Sequence, residues 1–318
     1  MRNAAAALFG TALGATFLWL SIGHIDGDEL RRSLTEFSFA PIGIALALYW
    51  TALGLRVVRW SGLLRQIGFV RTHHVAETLI IGYAVNNVLP ARLGELFRAD
   101  YAKRRFGFSR TTILGSILIE RMLDLCVIAL LLVTGLVFAE IGGGSGVREQ
   151  FEYVAVSATT LIGLVVIGVY FLRSGELSRI PVPDAARRLV GDFVVGVGSL
   201  NRRSLITTGA LSLGVWIFEL LALVAMFHAA AIDLGASEAL VVMGAMSLST
   251  LVPTAPGYIG TYQLVAALAM AAFGHSETLG IIAATGIQVF LFGGVTLVGV
   301  GALIIRSLAR LQAGDTAD

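Results

Sequence analysis

The sequence predicts an all-α integral membrane protein with about six full transmembrane helices and two broken helical hairpins. Of its 318 residues, 56% are hydrophobic and only 14% are charged, and the mean hydropathy is +0.83. A soluble domain of this size carries about 25% charged residues. No soluble domain, linker or low-complexity tail interrupts the apolar pattern. We therefore expect residues 1–318 to form a single polytopic membrane domain.

Six apolar windows have the length that a spanning helix needs, about 20 residues. They lie at about 4–23, 39–56, 111–138, 153–172, 205–231 and 280–305. The first window could be mistaken for a signal peptide. A signal h-region is usually shorter and is followed by an Ala-x-Ala-like cleavage site, so we interpret this window as a retained first span.

Two further apolar stretches, 75–98 and 237–274, are interrupted in the middle by Pro, Gly and polar residues. Neither half of either stretch is long enough to span a bilayer comfortably. We expect re-entrant hairpins that return to the side from which they entered. Two short crossing helices would place the flanking loops on the same sides, so this alternative stays open.

The two interruptions share a pattern that predicts an inverted internal repeat. Pro90 precedes Gly94 by four residues and Pro256 precedes Gly260 by four, so an offset of 166 relates both positions. Corresponding breaks in two halves of opposite orientation indicate the binding site of a transporter. The halves would cover about 1–172 and 205–318. The alternative is a pair of unrelated Pro/Gly kinks.

Basic residues predict the orientation of the chain. With both interrupted stretches read as hairpins, 19 Arg or Lys residues fall on one side and only three on the other. Cytoplasmic loops are enriched in Lys and Arg, so we expect both termini to face the cytoplasm in the cytoplasmic (inner) membrane. Segment 185–205 has apolar residues at helical spacing between Arg pairs, which predicts an amphipathic helix on the cytoplasmic surface.

Polar and charged residues surround the first interruption. Asn86 and Asn87 either satisfy backbone groups freed by the break, which lipid cannot do, or bind a polar headgroup. Arg92 and Arg98 lie at the hairpin mouth, where planar guanidinium groups suit a phosphate. Alternatively, Arg98 ends the helix at the membrane interface. Glu95 lies three residues before Arg98 and shares its helix face.

The window 111–138 carries Glu120, Arg121 and Asp124 within about a third of the helix circumference. A charge in a span costs about 2.5–3.5 kcal/mol on insertion scales and usually faces the bundle interior. We expect an ion-paired cluster that holds this helix against the hairpin, supplies charge to a headgroup path or to proton coupling, or does both. Glu219, about halfway along 205–231, is a further functional candidate.

The second interruption is polar but uncharged. It offers Tyr258, Thr261 and Gln263 as candidate transport residues. We expect the headgroup charge to be met on the cytoplasmic side, with the neutral second hairpin forming the outer exit. The candidate structural breaks of both interruptions are Pro90, Gly94, Pro253, Pro256, Gly257 and Gly260.

Enzyme signatures are absent from the sequence. It has no Walker loop, His-x-x-x-His pair, Cys-x-x-Cys or Gly-x-Ser-x-Gly elbow, and its five His form no convincing metal spacing. We therefore expect no enzymatic activity and neither a metal nor another cofactor.

Two blocks, "NNVLPARLGELFRADYAKRRFGFSRTTILGSILIERMLDL" and "LVPTAPGYIGTYQLVAALAM", resemble the lysylphosphatidylglycerol synthase transmembrane family, and the resemblance covers nearly the whole chain. This family includes the flippase domain of the bacterial multiple peptide resistance factor. Where the family often has Glu two or three residues after the last Gly, this sequence has Gln263. The matching residues are Asn87, Pro90, Gly94, Glu95, Arg98, Glu120, Arg121, Asp124, Pro253, Pro256, Gly257, Gly260 and Thr261.

The resemblance implies a lipid flippase or transporter that moves a phospholipid or polyprenyl-linked headgroup between leaflets. The expected partner is that membrane lipid and no nucleic acid, with a homo-oligomer or a lipid-modifying enzyme as further options. The sequence lacks the soluble aminoacyl-transferase domain of the resistance factor, so we expect no lipid aminoacylation. On this interpretation, Arg98→Ala and Glu120→Gln proteins would fold but lose translocation.

Two alternatives to transport stay open at this point. The first is a non-transporting accessory protein for a membrane glycosyltransferase or lipid-modifying enzyme. The second is an intramembrane enzyme that acts on a lipid phosphate, although the sequence offers it no recognisable nucleophile or metal set.

Overall fold

The computed structural model describes residues 2–36, 38–89, 93–139, 202–251 and 255–314, with a few helical positions between 153 and 195. All regular secondary structure in these ranges is helical. Most of the predicted span 153–172 and most of the predicted amphipathic helix 185–205 lie outside the described residues. The helices are α1 (Arg2–Ile22), α2 (Gly27–Glu36), α3 (Ala40–Arg65), α4 (Thr72–Val88), α5 (Leu93–Phe106), α6 (Arg110–Phe138), α7 (Arg202–Ala229), α8 (Ala236–Ser249), α9 (Thr261–Ala272), α10 (Glu277–Gly286) and α11 (Gly293–Gly314).

Two short elements complete the second half. A 3-10 turn, Pro256–Tyr258, precedes α9, and a π-helical stretch, Ile287–Phe292, joins α10 to α11. The helix starts follow local sequence signals. Ser109 and Ser276 cap α6 and α10, because each hydroxyl accepts the backbone N–H three residues later.

Four helical segments of the described chain are long and apolar enough to cross a membrane: α3, α6, α7 and the continuous segment 277–308. They correspond to four of the six predicted windows, and α1 covers a fifth as a helix. Large apolar side chains point outward along them, for example Leu130, Ile217 and Leu297, which are 55%, 43% and 77% exposed. Such an outer surface suits lipid rather than water.

Helix α3 is longer than its predicted window. The prediction ends this span at residue 56 and assigns Arg56 and Arg59 to a cytoplasmic loop, which is wrong. The helix continues to Arg65, and both arginines are buried. A window that stops at the first charge misses a helix whose later turns stay apolar. Without these two residues and the buried Arg98, 16 basic residues still oppose three, so the bias persists and the orientation stays a prediction.

Both interrupted stretches form helix–break–helix units. Helices α4 and α5 pack against each other around a break at 89–92, and α8 and α9 enclose a break at 250–260. These helices have 12 to 17 residues, hence lengths of about 18–26 Å. Each is therefore shorter than the ~30 Å hydrocarbon core of a bilayer.

The break positions differ slightly from the prediction. Asn86 and Asn87 lie in the last turn of α4 rather than in the break itself, and Gly94 lies in the first turn of α5. Pro90 and Pro253 lie outside the described residues.

The offset of 166 residues relates the helices as well as the breaks. Added to the starts of α3, α4, α5 and α6, it gives 206, 238, 259 and 276, whereas α7, α8, α9 and α10 start at 202, 236, 261 and 277. The packing contacts show the same correspondence between the two halves. Helix α6 packs on α8. Correspondingly, α11 packs on α4; α11 belongs to the segment that corresponds to α6, and α4 is the counterpart of α8.

The counterpart helices α3 and α7 pack against each other and run antiparallel. Their contacts pair rising numbers in α3 with falling numbers in α7: Arg56 with Glu219, Arg59 with Ser212, and Gln66 with Ser204. Antiparallel counterparts are what an inverted repeat requires. The interface of the two halves is therefore the place where a shared site would form.

The connection between α1 and α2 attaches to the start of α10. His24 pairs with Glu277, and the Asp26 backbone N–H donates to Thr278 Oγ1 at 2.8 Å. The Asp26 carboxylate caps α2, and the backbone N–H groups of Glu29 and Asp28 that donate to it lower its pKa. These contacts hold the first helices against the second half.

Gly260 is the tightest point of the second break. Its φ is +87°, and a Cβ there would lie 2.2 Å from the backbone oxygen of Gly14 in α1. Gly274 has a similar φ of +75° with nothing within 4 Å of a Cβ. Gly274→Ala should cost only backbone strain, about 1–2 kcal/mol. We expect Gly260→Ala to lower the thermal unfolding temperature much more than Gly274→Ala does. Equal decreases for the two variants would contradict this packing of α1.

Candidate functional site

A cavity of about 380 Å³ lies between the two halves, where the two breaks approach each other. Helices α3 to α6 line one side, and α7, α8, the second break, the start of α9 and the π-helical stretch line the other. Its volume falls within the range of ligand pockets, about 300–1,000 Å³. The cavity can therefore hold a group the size of a lipid headgroup.

Most of the predicted site residues meet at this cavity. Glu120 lies buried behind the cavity, while Thr261 and Gln263 are buried away from it. Arg92 lies outside the described residues, so its predicted phosphate contact stays a prediction. The predicted residues that line the cavity are Asn86, Asn87, Gly94, Glu95, Arg98, Arg121, Asp124, Glu219 and Tyr258.

Two buried carboxylates of α6 form the centre of a charge network. Arg59 Nη1 donates to Asp124 Oδ1 at 2.6 Å, and Arg59 Nη2 donates to Glu120 Oε1 at 3.2 Å. Arg98 Nη2 donates to the other oxygen of Glu120 at 2.6 Å. None of these four side chains is more than 4% exposed. Charges buried this deeply need such partners, because their desolvation is otherwise uncompensated.

The network also joins α7 to the first half. Arg56 of α3 donates through Nε and Nη2 to Glu219 Oε1, at 3.0 and 2.6 Å, and through Nη1 to Asp124 Oδ2 at 3.2 Å. From α7, the Trp216 indole N–H donates to Asp124 Oδ1 at 3.1 Å. Arg56 and Asp124 thus hold both halves together at the cavity.

The charges of this network balance. Four arginines and four carboxylates belong to it among the described residues, so its formal charge is zero. An anion that enters the cavity must therefore compete with a carboxylate for an arginine, or bring a compensating charge. The members are Arg56, Arg59, Arg98 and Arg121 with Glu95, Glu120, Asp124 and Glu219.

Arg121 makes the longest ion pairs of the four arginines in the network. Its Nε lies 3.4 Å from Glu95 Oε1 and its Nη1 lies 3.6 Å from Asp124 Oδ2, both of them ion pairs longer than strong hydrogen bonds. Its side chain is 30% exposed and lines the cavity. Arg98 is 3% exposed and lies 3.5 Å from the centre of the Trp60 ring. The geometry therefore favours Arg121 over Arg98 as a contact for an incoming anion.

Asn86 and Asn87 connect the first hairpin to the second half. Asn86 Nδ2 donates to Tyr258 Oη at 3.0 Å, and Asn87 Nδ2 donates to Thr296 Oγ1 at 3.0 Å. Tyr258 has a φ of +61° beside Gly257 at +63°. A non-glycine residue with positive φ is uncommon, and such strain clusters at functional sites. Both asparagines thus have a structural partner, and Asn86 reaches the strained turn.

Gln263 stabilises the second break from behind. Its Oε1 accepts the Gly260 backbone N–H at 2.8 Å, and its Nε2 donates to Gln288 Oε1 at 2.5 Å. Gln288 in turn donates to the backbone oxygen of Gly257 at 2.8 Å. The side chain of Gln263 is therefore occupied in holding the turn, and its predicted contact with a transported group has no support from its position.

Sequence reasoning missed Arg56 and Arg59 as site residues. The signal was present in "LGLRVVRWSGLL", where two arginines three residues apart share a helix face between apolar neighbours. Ionisable residues within an apolar span are functional candidates. Tyr49, Tyr83 and Tyr262, which also line the cavity, carry no comparable sequence signal.

Comparison with known proteins places this arrangement in a family. Glycosyltransferase AglD of Haloferax volcanii is 26% identical over 344 residues, which cover 96% of this chain and 55% of that protein. The chain thus spans about half the length of this relative. A family model described as lysylphosphatidylglycerol synthase TM region matches residues 7–299, which include the charge network and both breaks. The chain is a multi-pass membrane protein that belongs to the lysylphosphatidylglycerol synthase TM region family.

Proposed function

We propose that the chain moves a lipid headgroup across the membrane through the cavity between its two halves. The observation that carries the proposal is a charged cavity enclosed by two helix breaks at the contact of antiparallel counterpart helices. In transporters built from inverted repeats, discontinuous helices at the repeat interface form the substrate site. The proposed activity is transport rather than enzymatic conversion.

The arginines suit a headgroup that carries a phosphate. Arg121 would make the first contact, because its side chain is the most exposed of the four arginines in the network. Arg56 would make the second, since Arg56 and Arg121 both contact Asp124 Oδ2 and both line the cavity. A guanidinium offers planar, bidentate donation to phosphate oxygens. Arg92 retains its predicted role at the hairpin mouth.

The charge bias supports a cytoplasmic-membrane location with cytoplasmic termini. In this orientation the charged first hairpin opens to the cytoplasm and the neutral second hairpin opens outward. A phospholipid or polyprenyl-phosphate-linked headgroup would then meet the arginines before it reaches the uncharged break.

An Arg121→Gln protein should translocate lipid much more slowly than the wild type. Losing a charge-assisted hydrogen bond costs about 1.5–3 kcal/mol, so we expect at least about a tenfold slower rate. Reconstituted phosphatidylcholine vesicles with acyl-labelled fluorescent phosphatidylglycerol measure the rate, because a membrane-impermeant reductant quenches only outer-leaflet label. Arg110→Gln is the matched control, since Arg110 lies on the same helix, pairs with Asp100 and does not line the cavity. Normal transport by Arg121→Gln would contradict this site assignment, and inactive wild type would contradict the function.

A second candidate function is an accessory role beside a membrane glycosyltransferase. It is favoured by the name of the relative and by the finding that the chain matches only 55% of that protein. Stable co-purification with a glycosyltransferase, combined with no lipid translocation by the isolated chain, would favour this candidate. Translocation by the purified chain alone would exclude a purely accessory role.

A further inference from the structure

We propose that binding of an anionic headgroup is coupled to the uptake of one proton by Glu219, an inference that rests on the proposed transport function. The cavity would then carry a lipid phosphate together with a proton. Glu219 lies in the second half of α7, lines the cavity, and is 13% exposed. Intramembrane carboxylates are common members of proton paths in transporters.

The contacts of Glu219 leave part of its carboxylate available. Oε1 accepts both hydrogen bonds from Arg56, at 3.0 and 2.6 Å. Oε2 makes no hydrogen bond to any other residue in the part of the chain that the structure describes. Glu219 therefore depends on one arginine, through one oxygen, while its other oxygen can receive a proton.

Arg56 does not depend on Glu219 in the same way. Its Nη1 also donates to Asp124 Oδ2 at 3.2 Å, so its charge stays compensated when a phosphate displaces Glu219. Displacement leaves the carboxylate of Glu219, which is only 13% exposed, without its arginine partner. An isolated buried carboxylate takes up a proton rather than pay the desolvation cost of its charge.

Charge balance also predicts the uptake of one proton when the anion binds. The network has a formal charge of zero before the anion enters, and one phosphodiester would bring it to −1. Uptake of one proton by Glu219 restores neutrality, while the phosphate takes over the hydrogen bonds that Arg56 donated to Glu219. No bond of the lipid breaks in this step, because the proton comes from the aqueous side and the phosphodiester remains an anion.

The other carboxylates of the network are poorer proton acceptors. Glu120 is fully buried between Arg59 and Arg98. Asp124 accepts from Arg59, Arg56 and Trp216. Glu95 is 33% exposed, so water can support its charge. Glu219 alone combines burial with a single exchangeable partner.

The groups around Glu219 are consistent with this role. Helices α8 and α10 carry one titratable side chain each, Glu238 and Glu277, and these pair with His275 and His24 away from the cavity. Within the part of the chain that the structure describes, the other charged or titratable groups near Glu219 come from α3, α6 and α9 and are Arg56, Tyr49, Asp124 and Tyr262.

Calorimetry can count the protons. We would titrate the detergent-solubilised protein at pH 7 with dihexanoyl-phosphatidylglycerol in buffers of different ionisation enthalpy. We expect the wild type to take up about one proton per bound lipid, and Glu219→Gln to bind without proton uptake, because linkage requires a titrating group. Glu238→Gln is the matched control, since Glu238 pairs with His275 and does not line the cavity, and it should behave as the wild type.

Three results would overturn the inference: lipid binding by the wild type without proton uptake, unchanged uptake in Glu219→Gln, or no binding of the anionic lipid at all. The wild-type count does not require any variant to fold. Each of these results leaves the transport function open, because vesicle translocation is measured separately. Conversely, proton-linked binding without translocation would contradict transport and not the coupling of binding to protonation.

Discussion

An Arg59→Met protein is expected to lose about 3–5 kcal/mol of stability, the cost of removing one partner from a buried ion pair. Arg59 is completely buried and contacts both Asp124 and Glu120. Without it, Asp124 keeps Arg56 and Glu120 keeps Arg98, but the buried part of the network gains a net negative charge. Methionine fills similar apolar volume, so the loss is chiefly electrostatic.

Thermal unfolding in detergent measures this effect, with fluorescence-detected size exclusion to follow aggregation. Arg65→Met is the matched control, because Arg65 lies two turns later on the same helix and makes an exposed hydrogen bond to Thr72. Exposed pairs contribute about 0–1 kcal/mol, so this variant should unfold near the wild-type temperature. Similar unfolding temperatures for Arg59→Met and Arg65→Met would contradict the role of Arg59 as the central cation.

The contrast between Arg59 and Arg121 explains how far the sequence could predict the site. Glu120, Arg121 and Asp124 were predictable as a cluster because their three- and four-residue spacings are local and their surroundings are apolar. Their partners Arg56 and Arg59 lie far away in the sequence. No local pattern states which of several intramembrane charges will meet, because tertiary packing decides it.

The helix breaks show the same limit. Pro and Gly mark a break locally, and the shared offset of 166 anticipates the order of helices on either side. The sequence does not predict the direction in which a side chain points at the break. Gln263 follows Gly260 by three residues and turns back to accept its N–H, whereas Tyr258 faces the cavity and Asn86. Both were equal candidates in sequence.

The second large effect concerns the pair Arg98 and Glu120. The sequence-based hypothesis expects single substitutions to abolish transport in a folded protein. The structure changes the expectation that these single variants stay folded. Arg98 is 3% exposed, Glu120 is fully buried, and a 2.6 Å hydrogen bond joins them. We expect Arg98→Met and Glu120→Gln each to cost about 3–5 kcal/mol, since Glu120→Gln removes the anionic partner of Arg98 and Arg98→Met leaves Glu120 with Arg59 alone.

The double variant Arg98→Met/Glu120→Gln should recover most of this loss. Three arginines then face three carboxylates, and replacing a whole buried ion pair is often close to neutral. A double-mutant cycle on thermal stability isolates the coupling. Since Arg98 donates to Glu120 and stacks on Trp60, we expect the double variant to translocate lipid at close to the wild-type rate. A stable double variant that fails to translocate would instead make Arg98 a headgroup contact, as the hairpin-mouth sequence suggests. Neutralising the charge of Glu120 would then not be the only role of Arg98.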